Sequence, residues 1–216
     1  FHDRPTPLSE PHPVDHLSKM IGARCTNRKV TAQEPFPITV FTEMAAVVGT
    51  MPGCSVQLAE RSEQLAKLGS LCGSAERIRL LHPIGHAEFF EHELRWTPET
   101  PMGSKDGLDI AAMELSPTNM AGLMIASDKR AIELIDRWRA GKGLEEISGK
   151  AIRAASAVLL LSVAADDPTS WLNGGRAVER LWMAANASGF AVHPISAPIF
   201  MTHALGSTKN GLRDHE

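Results

Sequence analysis

The sequence predicts an α+β fold with helices in the majority, and three stretches carry that reading. Ala157–Val163 is an apolar run interrupted only by Ser162, short enough for a buried strand and followed at once by the turn residues Asp166, Asp167 and Pro168. From Trp171 onward, Leu172, Val178, Leu181, Trp182 and Ala185 recur at three- and four-residue steps, the spacing of a helix with one coverable apolar stripe. Cys54–Glu60 alternates weakly, with Val56 and Leu58 set against Ser55, Gln57 and Ala59, as a strand with one buried face does.

Taken in order, Phe1–Pro13 carries Pro5, Pro7, Pro11 and Pro13, too many for a helix interior or a central strand, and reads as an extended arm or linker. The domain proper is expected over residues 14–216. Val14–Gly22 places Val14, Leu17 and Ile21 on one face of a short amphipathic helix. Pro35–Pro37 leads into Ile38, Phe41, Ala45, Val48 and Met51, a helical stripe with proline at its start, where a missing N–H does no harm; Pro52–Gly53 ends it. Ser62 opens a helix whose stripe is Leu65, Leu68, Leu71 and Cys72, with Gly73 as its stop, and a second helix is expected over Ser74–Leu81. Ala87–Trp96 reads as an amphipathic helix packing Phe89, Phe90 and Leu94. Thr97–Asp109 is the longest interior loop, the kind of segment that admits or excludes ligands. Pro117–Ser127, Asp128–Ala140 and Leu144–Ala155 read as helices, with Gly141–Gly143 between the last two. Gly189 stops the helix that starts near Trp171. Ala191–Val192 is then a short extended segment, turned out of regular pairing by His193–Pro194 because proline lacks the N–H of a central ladder.

Composition narrows the class. The chain has 216 residues, 43% apolar and 22% charged, which suits one large folded domain or two small ones rather than disorder. No apolar run approaches the ~18 residues of a membrane helix, so no membrane span is expected. Twenty-two basic against 25 acidic residues give a net charge of -3, with no broad attraction for nucleic-acid phosphates. Cys25, Cys54 and Cys72 are odd in number and lack a CxxC or Cys/His pattern, which argues against a disulfide framework or structural zinc and for a reducing cytoplasm. No signal-peptide pattern opens the sequence. The first residue is Phe1 rather than Met, which leaves a cut edge of a longer chain as one reading of the start.

Motifs for several enzyme classes are missing: there is no Gly-x-Gly-x-x-Gly, Walker loop, His-Glu-x-x-His or Gly-x-Ser-x-Gly. His82, His86 and His92 invite a metal, but the six-residue step from His86 to His92 takes them off a shared helical face. No metal is expected. His193 and Ser196 lack a third partner for nucleophilic catalysis, and turn capping suits both better; no catalytic side chain is assigned. Arg24–Lys29 offers three basic side chains in six residues, with Thr26 among them. Such a cluster is either a solvated basic turn or a clamp for a phosphate, which favours guanidinium forks and a hydroxyl.

Gly175–Ala177, Glu179–Trp182, Ala184–Ala185, Gly189–Ala191 and Pro194–Ser196 resemble the nitroreductase-like flavoprotein family, and Arg24-x-Thr26-x-Arg28 resembles that family's Arg-x-Ser-x-Arg phosphate clamp. The resemblance implies a central, mostly antiparallel sheet covered by helices, with a long helix at a homodimer interface, here Trp171–Ser188. It implies FMN as cofactor, with Arg24, Thr26 and Arg28 on the phosphate and the backbone N–H groups of Ile195, Ser196 and Ala197, after Pro194, polarising the flavin edge. NAD(P)H would then reduce the flavin, and a nitroaromatic or quinone-like acceptor would reoxidise it. The sequence departs from the family at Thr50–Gly53, where a flavin-contacting Asn is replaced, and in its tail, where Lys209 or Arg213 is left to make a further phosphate contact. Two alternatives stay open: an FMN store or sensor lidded by Thr97–Asp109, or a flavin-free dimerising module of a larger protein.

Overall fold

A computed structural model describes residues 15–31, 33–96 and 106–206. The Pro-rich arm, most of the long loop and the basic tail positions Lys209 and Arg213 lie outside them. The fold is mixed α+β, and its backbone gathers into two compact units.

The first unit comprises the described residues up to Asn27 together with Phe36–Leu58 and Leu159–Val192. A 3-10 helix, Asp15–Ala23, stands where the short amphipathic helix is expected. It is followed by α1, Ile38–Gly49, and β1, Cys54–Ala59. β1 pairs with β4, Val158–Val163, in a two-stranded sheet. The long helix α7, Pro168–Ala187, starts as the sequence requires: Asp167 accepts from the N–H groups of Thr169 (2.9 Å) and Ser170 (3.1 Å), and Pro168 fills the first position. It stops at Gly189, whose φ of 82° needs the left-handed freedom of glycine. The Phe190 N–H then returns to the Ala185 carbonyl at 2.9 Å. Met44, Val48, Ala177 and Ala185 form the dry centre between α1 and α7, with Leu17 of the 3-10 helix against them. Small residues bring α7 close to β4: a Cβ on Gly174 would lie 2.8 Å from Val163 Cγ1.

The second unit comprises the described residues of Arg28–Pro35 and Ala59–Val158 and those from His193 onward. Its spine is α2, Ser62–Leu81, one continuous helix of 20 residues rather than two. Gly73, read from sequence as a stop, is instead a point of close approach to α6, Lys142–Ala154. A Cβ there would meet the Glu145 carbonyl oxygen at 2.7 Å, and one on Gly149 would meet the Gly69 oxygen at 2.9 Å. The expected helix over Ala87–Trp96 is also corrected. The short α3, Pro83–Ala87, widens into a π-helical segment, Glu88–Glu93, and the chain then straightens as β2, Leu94–Arg95. The wider winding turns the adjacent Phe89 and Phe90 both inward, 4.9 Å apart edge to face.

β2 pairs in parallel with β3, Leu108–Asp109, in the register Leu94 to Leu108. After a 3-10 turn over Ile110–Met113 come α4, Pro117–Ala126, and α5, Lys129–Arg137, the two helices expected there. The last described helix, α8, Ala197–Gly206, packs on α2. Leu80, Phe89, Leu123 and Ala126 centre this core. In place of one central, mostly antiparallel sheet, the described strands form two separate pairs, and β2–β3 is parallel. Only Cys54–Ala59 and Val158–Val163 are long enough to sustain a ladder; β2 and β3 are two residues each.

Candidate functional site

The second unit holds a cleft of about 980 Å³. Glu76 and Arg79 of α2 and Ser148, Lys150 and Ala151 of α6 form one wall. Glu88, Phe89, His92 and Glu93 of the π-helical segment line another part, and residues 28–30 and 193–197 complete the lining with Phe200. Five of the seven residues that the resemblance assigns to the cofactor therefore meet here: Arg28, Pro194, Ile195, Ser196 and Ala197. They join from opposite ends of the chain.

They bring a cation and backbone donors together in a cleft that Glu76, Glu88, Glu93, Glu114 and Glu146 also line. Arg28 is half-buried, burial works against its charge, and it makes no ion pair with any described carboxylate. Ile195, Ser196 and Ala197 lead into the N-terminus of α8, and their backbone N–H groups reach no acceptor among the described residues. The Ser196 carbonyl accepts from the Ile199 N–H (3.0 Å) and the Phe200 N–H (3.2 Å), so this corner is fixed by the helix itself. Unfilled donors at a helix start, beside an uncompensated guanidinium, favour a negatively charged ligand. His193 adds no competing charge: burial first, and the Arg28 cation second, push its imidazole down to about 4, so it is neutral at pH 7.

Arg24 and Thr26 belong to the first unit. Arg24 Nε pairs with Glu179 Oε1 at 2.8 Å, and its guanidinium lies 4.5 Å from the ring centroid of Trp182. Thr26 forms an isolated parallel bridge with Val192, and the Asn27 N–H donates to the Val192 carbonyl at 3.0 Å. Thr26 is thus held by its backbone, next to the extended segment read from sequence at Ala191–Val192.

Sequence reasoning missed the ionic cluster on the cleft wall. Arg79 Nη2 bonds Glu93 Oε1 at 2.5 Å, while Arg79 Nη1 is 3.7 Å from Glu76 Oε1. Glu76 is 7% exposed, and the Ser148 hydroxyl donates to its Oε2 at 3.5 Å. Burial raises the Glu76 pKa; Arg79 and Ser148 oppose that rise and the Glu93 charge adds to it. A signal was present, because Leu65, Gly69, Cys72, Glu76 and Leu80 continue one buried stripe of α2, and a charge on such a stripe needs a reason. Of the histidines weighed for metal binding, His86 is buried with Nε2 hydrogen-bonded to the Ala126 carbonyl at 2.9 Å, a core role. Among the described residues no group of three or more His, Cys, Asp or Glu is arranged to hold a metal ion. No described helix is long and apolar enough to cross a membrane.

An uncharacterized protein of Mycobacterium tuberculosis is 28% identical over 167 residues, a match that covers 77% of this chain. The same match takes up 22% of that protein, so the chain spans under a quarter of its relative's length. No family model and no solved structure matches the chain.

Proposed function

We propose that this chain is a nitroreductase-like, FMN-dependent oxidoreductase that passes electrons from NAD(P)H to a nitroaromatic or quinone-like acceptor. The observation that carries the reading is the meeting at one cleft of Arg28, which has no carboxylate partner among the described residues, with the N–H groups of residues 195–197, which have no acceptor among them. The residues fit the cofactor on two counts: the donors suit a phosphate or a flavin edge, and about 980 Å³ lies at the upper end of the pocket range for small ligands. FMN, when bound, supplies the hydride and electron transfer. The chain's own part is placement. Arg28 supplies a cation to the anionic end, Ile195–Ala197 supply backbone donors, and neutral His193 leaves the positive charge of Arg28 to the ligand.

A homodimer joined through α7 belongs to the same reading. Trp171 and Leu172 are 50% and 64% exposed on that helix, and a Cβ on Gly175 would meet nothing within 4 Å, which leaves an apolar strip open to close packing. Unpaired thiols at Cys25, Cys54 and Cys72 accord with a cytoplasmic setting.

One observation favours the second reading, a flavin-free module of a larger protein: Arg24, the first residue of the clamp, is already paired with Glu179. Flavin content separates the two. The purified protein is expected to carry FMN, bleach anaerobically with NADH or NADPH, and recover its colour with a nitroaromatic or quinone. Protein that stays colourless after incubation with excess FMN refutes the oxidoreductase reading.

A further inference from the structure

The cleft wall carries one guanidinium between two carboxylates, and the sharing is unequal. Arg79 gives its short contact, 2.5 Å, to Glu93, whose side chain is 47% exposed. Glu76, the more deeply buried of the two, is left 3.7 Å from the same cation, well beyond the 2.7–2.9 Å of a charge-assisted bond. Its remaining partner, the Ser148 hydroxyl at 3.5 Å, is at the limit of hydrogen bonding. Stacking of Arg79 over Phe89, 5.6 Å from guanidinium carbon to ring centroid, helps hold the cation in this position. Two ionised carboxylates on one shared cation would leave buried Glu76 with a negative charge that Arg79 does not fully balance. A proton on Glu76 removes it.

From this geometry we propose that Glu76 is the proton donor of the cleft: as a carboxylic acid it hydrogen-bonds the oxygen of a neutral carbonyl- or nitro-type electron acceptor and protonates it during reduction. The inference rests on the oxidoreductase reading and extends it to a residue and a ligand class. For a quinone the balance is simple. The acceptor takes one hydride equivalent, supplied ultimately by the reduced nicotinamide, and one proton. The Glu76 O–H bond breaks, an O–H bond forms on the acceptor, and the carboxylate left behind faces Arg79 until water in the cleft reprotonates it. Glu88 and Glu93 line the same cleft as Glu76, and their charge disfavours an anionic acceptor beside it. The charged groups that set the Glu76 proton are Arg79 from α2 and Glu93 from the π-helical segment; Ser148 faces it from α6, where Glu146 and Lys150 also border the cleft.

The test is the reoxidation of pre-reduced, FMN-loaded protein by benzoquinone, followed by rapid mixing from pH 5 to 9 in wild type, Glu76→Gln and Glu93→Gln. Removing a general acid costs about 100-fold or more in rate, so Glu76→Gln is expected to reoxidise at least that much more slowly at the low-pH plateau and to lose the pH step. Its flavin content and its reduction by NAD(P)H are measured alongside, which separates a loss of proton transfer from a change in cofactor loading. Glu93→Gln frees Arg79 for Glu76 and is expected to move the step to lower pH, which keeps the proposal testable if Glu76→Gln folds poorly. Infrared difference spectra supply a readout apart from activity: a protonated-carboxyl band at neutral pH in wild type, absent from Glu76→Gln. Equal flavin content with unchanged reoxidation in Glu76→Gln, an unmoved step in Glu93→Gln, or no such band overturns the donor role alone. Wild type that binds no flavin overturns the oxidoreductase reading and, with it, this step.

Discussion

Replacing Gly73 with alanine probes the closest contact in the second unit, and Gly122→Ala supplies its control. Both glycines lie inside helices, α2 and α4, so both substitutions gain the same intrinsic helix preference, about 1 kcal/mol. Only one has a neighbour. A Cβ on Gly73 would stand 2.7 Å from the Glu145 oxygen and 3.1 Å from Glu145 Cβ, whereas one on Gly122 would meet nothing within 4 Å. The obstructing atom is backbone of α6 and cannot rotate away. To restore an ordinary C···O contact of about 3.3 Å, α2 and α6 must separate by roughly 0.6 Å, an overpacking that costs about 1–3 kcal/mol. Gly122→Ala is therefore expected to stabilise by about 0.5–1 kcal/mol and Gly73→Ala to be destabilising, the two variants differing by about 1–3 kcal/mol. Both residues belong to one compact unit, so one urea transition reports both, read as a change in midpoint at constant m-value. A Gly73→Ala protein as stable as Gly122→Ala would refute the close-packing account of α2 and α6.

Other substitutions test the remaining contacts. Arg28→Ala is expected to weaken FMN binding about 10- to 100-fold by equilibrium fluorescence titration, the worth of one charged hydrogen-bonding partner at about 1.5–3 kcal/mol. Arg24→Ala, whose side chain is engaged by Glu179, is expected to do less; the reverse order would move the anion site away from the cleft. His193 has a folded pKa of about 4 against 6.5 when unfolded, so between those values the native state holds fewer protons, and its contribution to stability is lost as pH falls through that window. Glu76, with a raised pKa, acts in the opposite sense, so the measurement is the difference between wild type and His193→Gln, which should shrink from pH 7 to pH 4. A difference independent of pH would show that His193 is not held neutral. Asp128 accepts from the N–H groups of Arg130 (2.8 Å) and Ala131 (3.0 Å) at the start of α5, and Asp128→Ala should cost about 1 kcal/mol in the same urea assay; no loss would mean that water replaces the cap.

The parts of the fold legible in the sequence are those whose reasons are local. The run ending at Val163, the Asp167–Pro168 start of α7 and the Gly189 stop each depend on residues within a few positions, and each stands where the sequence sets it. Gly73 shows why the rest was harder. As a lone glycine after an apolar stripe it carries a stop signal, and what keeps the helix going is a partner 72 residues away, the Glu145 carbonyl that only a missing side chain can approach. The π-helical winding at Glu88–Glu93 likewise buries two successive aromatic rings, a pattern that helical periodicity cannot anticipate.

The basic cluster makes the same point about the site. Arg24 and Arg28 are equivalent in the sequence, each a guanidinium in a polar turn, and a phosphate clamp treats them as a pair. Their surroundings separate them: Arg24 has a carboxylate at 2.8 Å and an aromatic face beneath it, whereas Arg28 has burial without a described counter-charge. Coulomb compensation is a property of the partner as much as of the cation, so a run of arginines marks where an anion could bind but not which arginine is free to bind it. The same holds in reverse for Glu76. Its place on the buried stripe of α2 marks it as a charge that needs a reason, and it becomes a candidate proton donor only because the arginine three positions on is committed to Glu93, fourteen residues beyond that arginine. Charge on this cleft is assigned by competition among neighbours, which is why mutating a partner, as in Glu93→Gln, is as informative as mutating the residue itself.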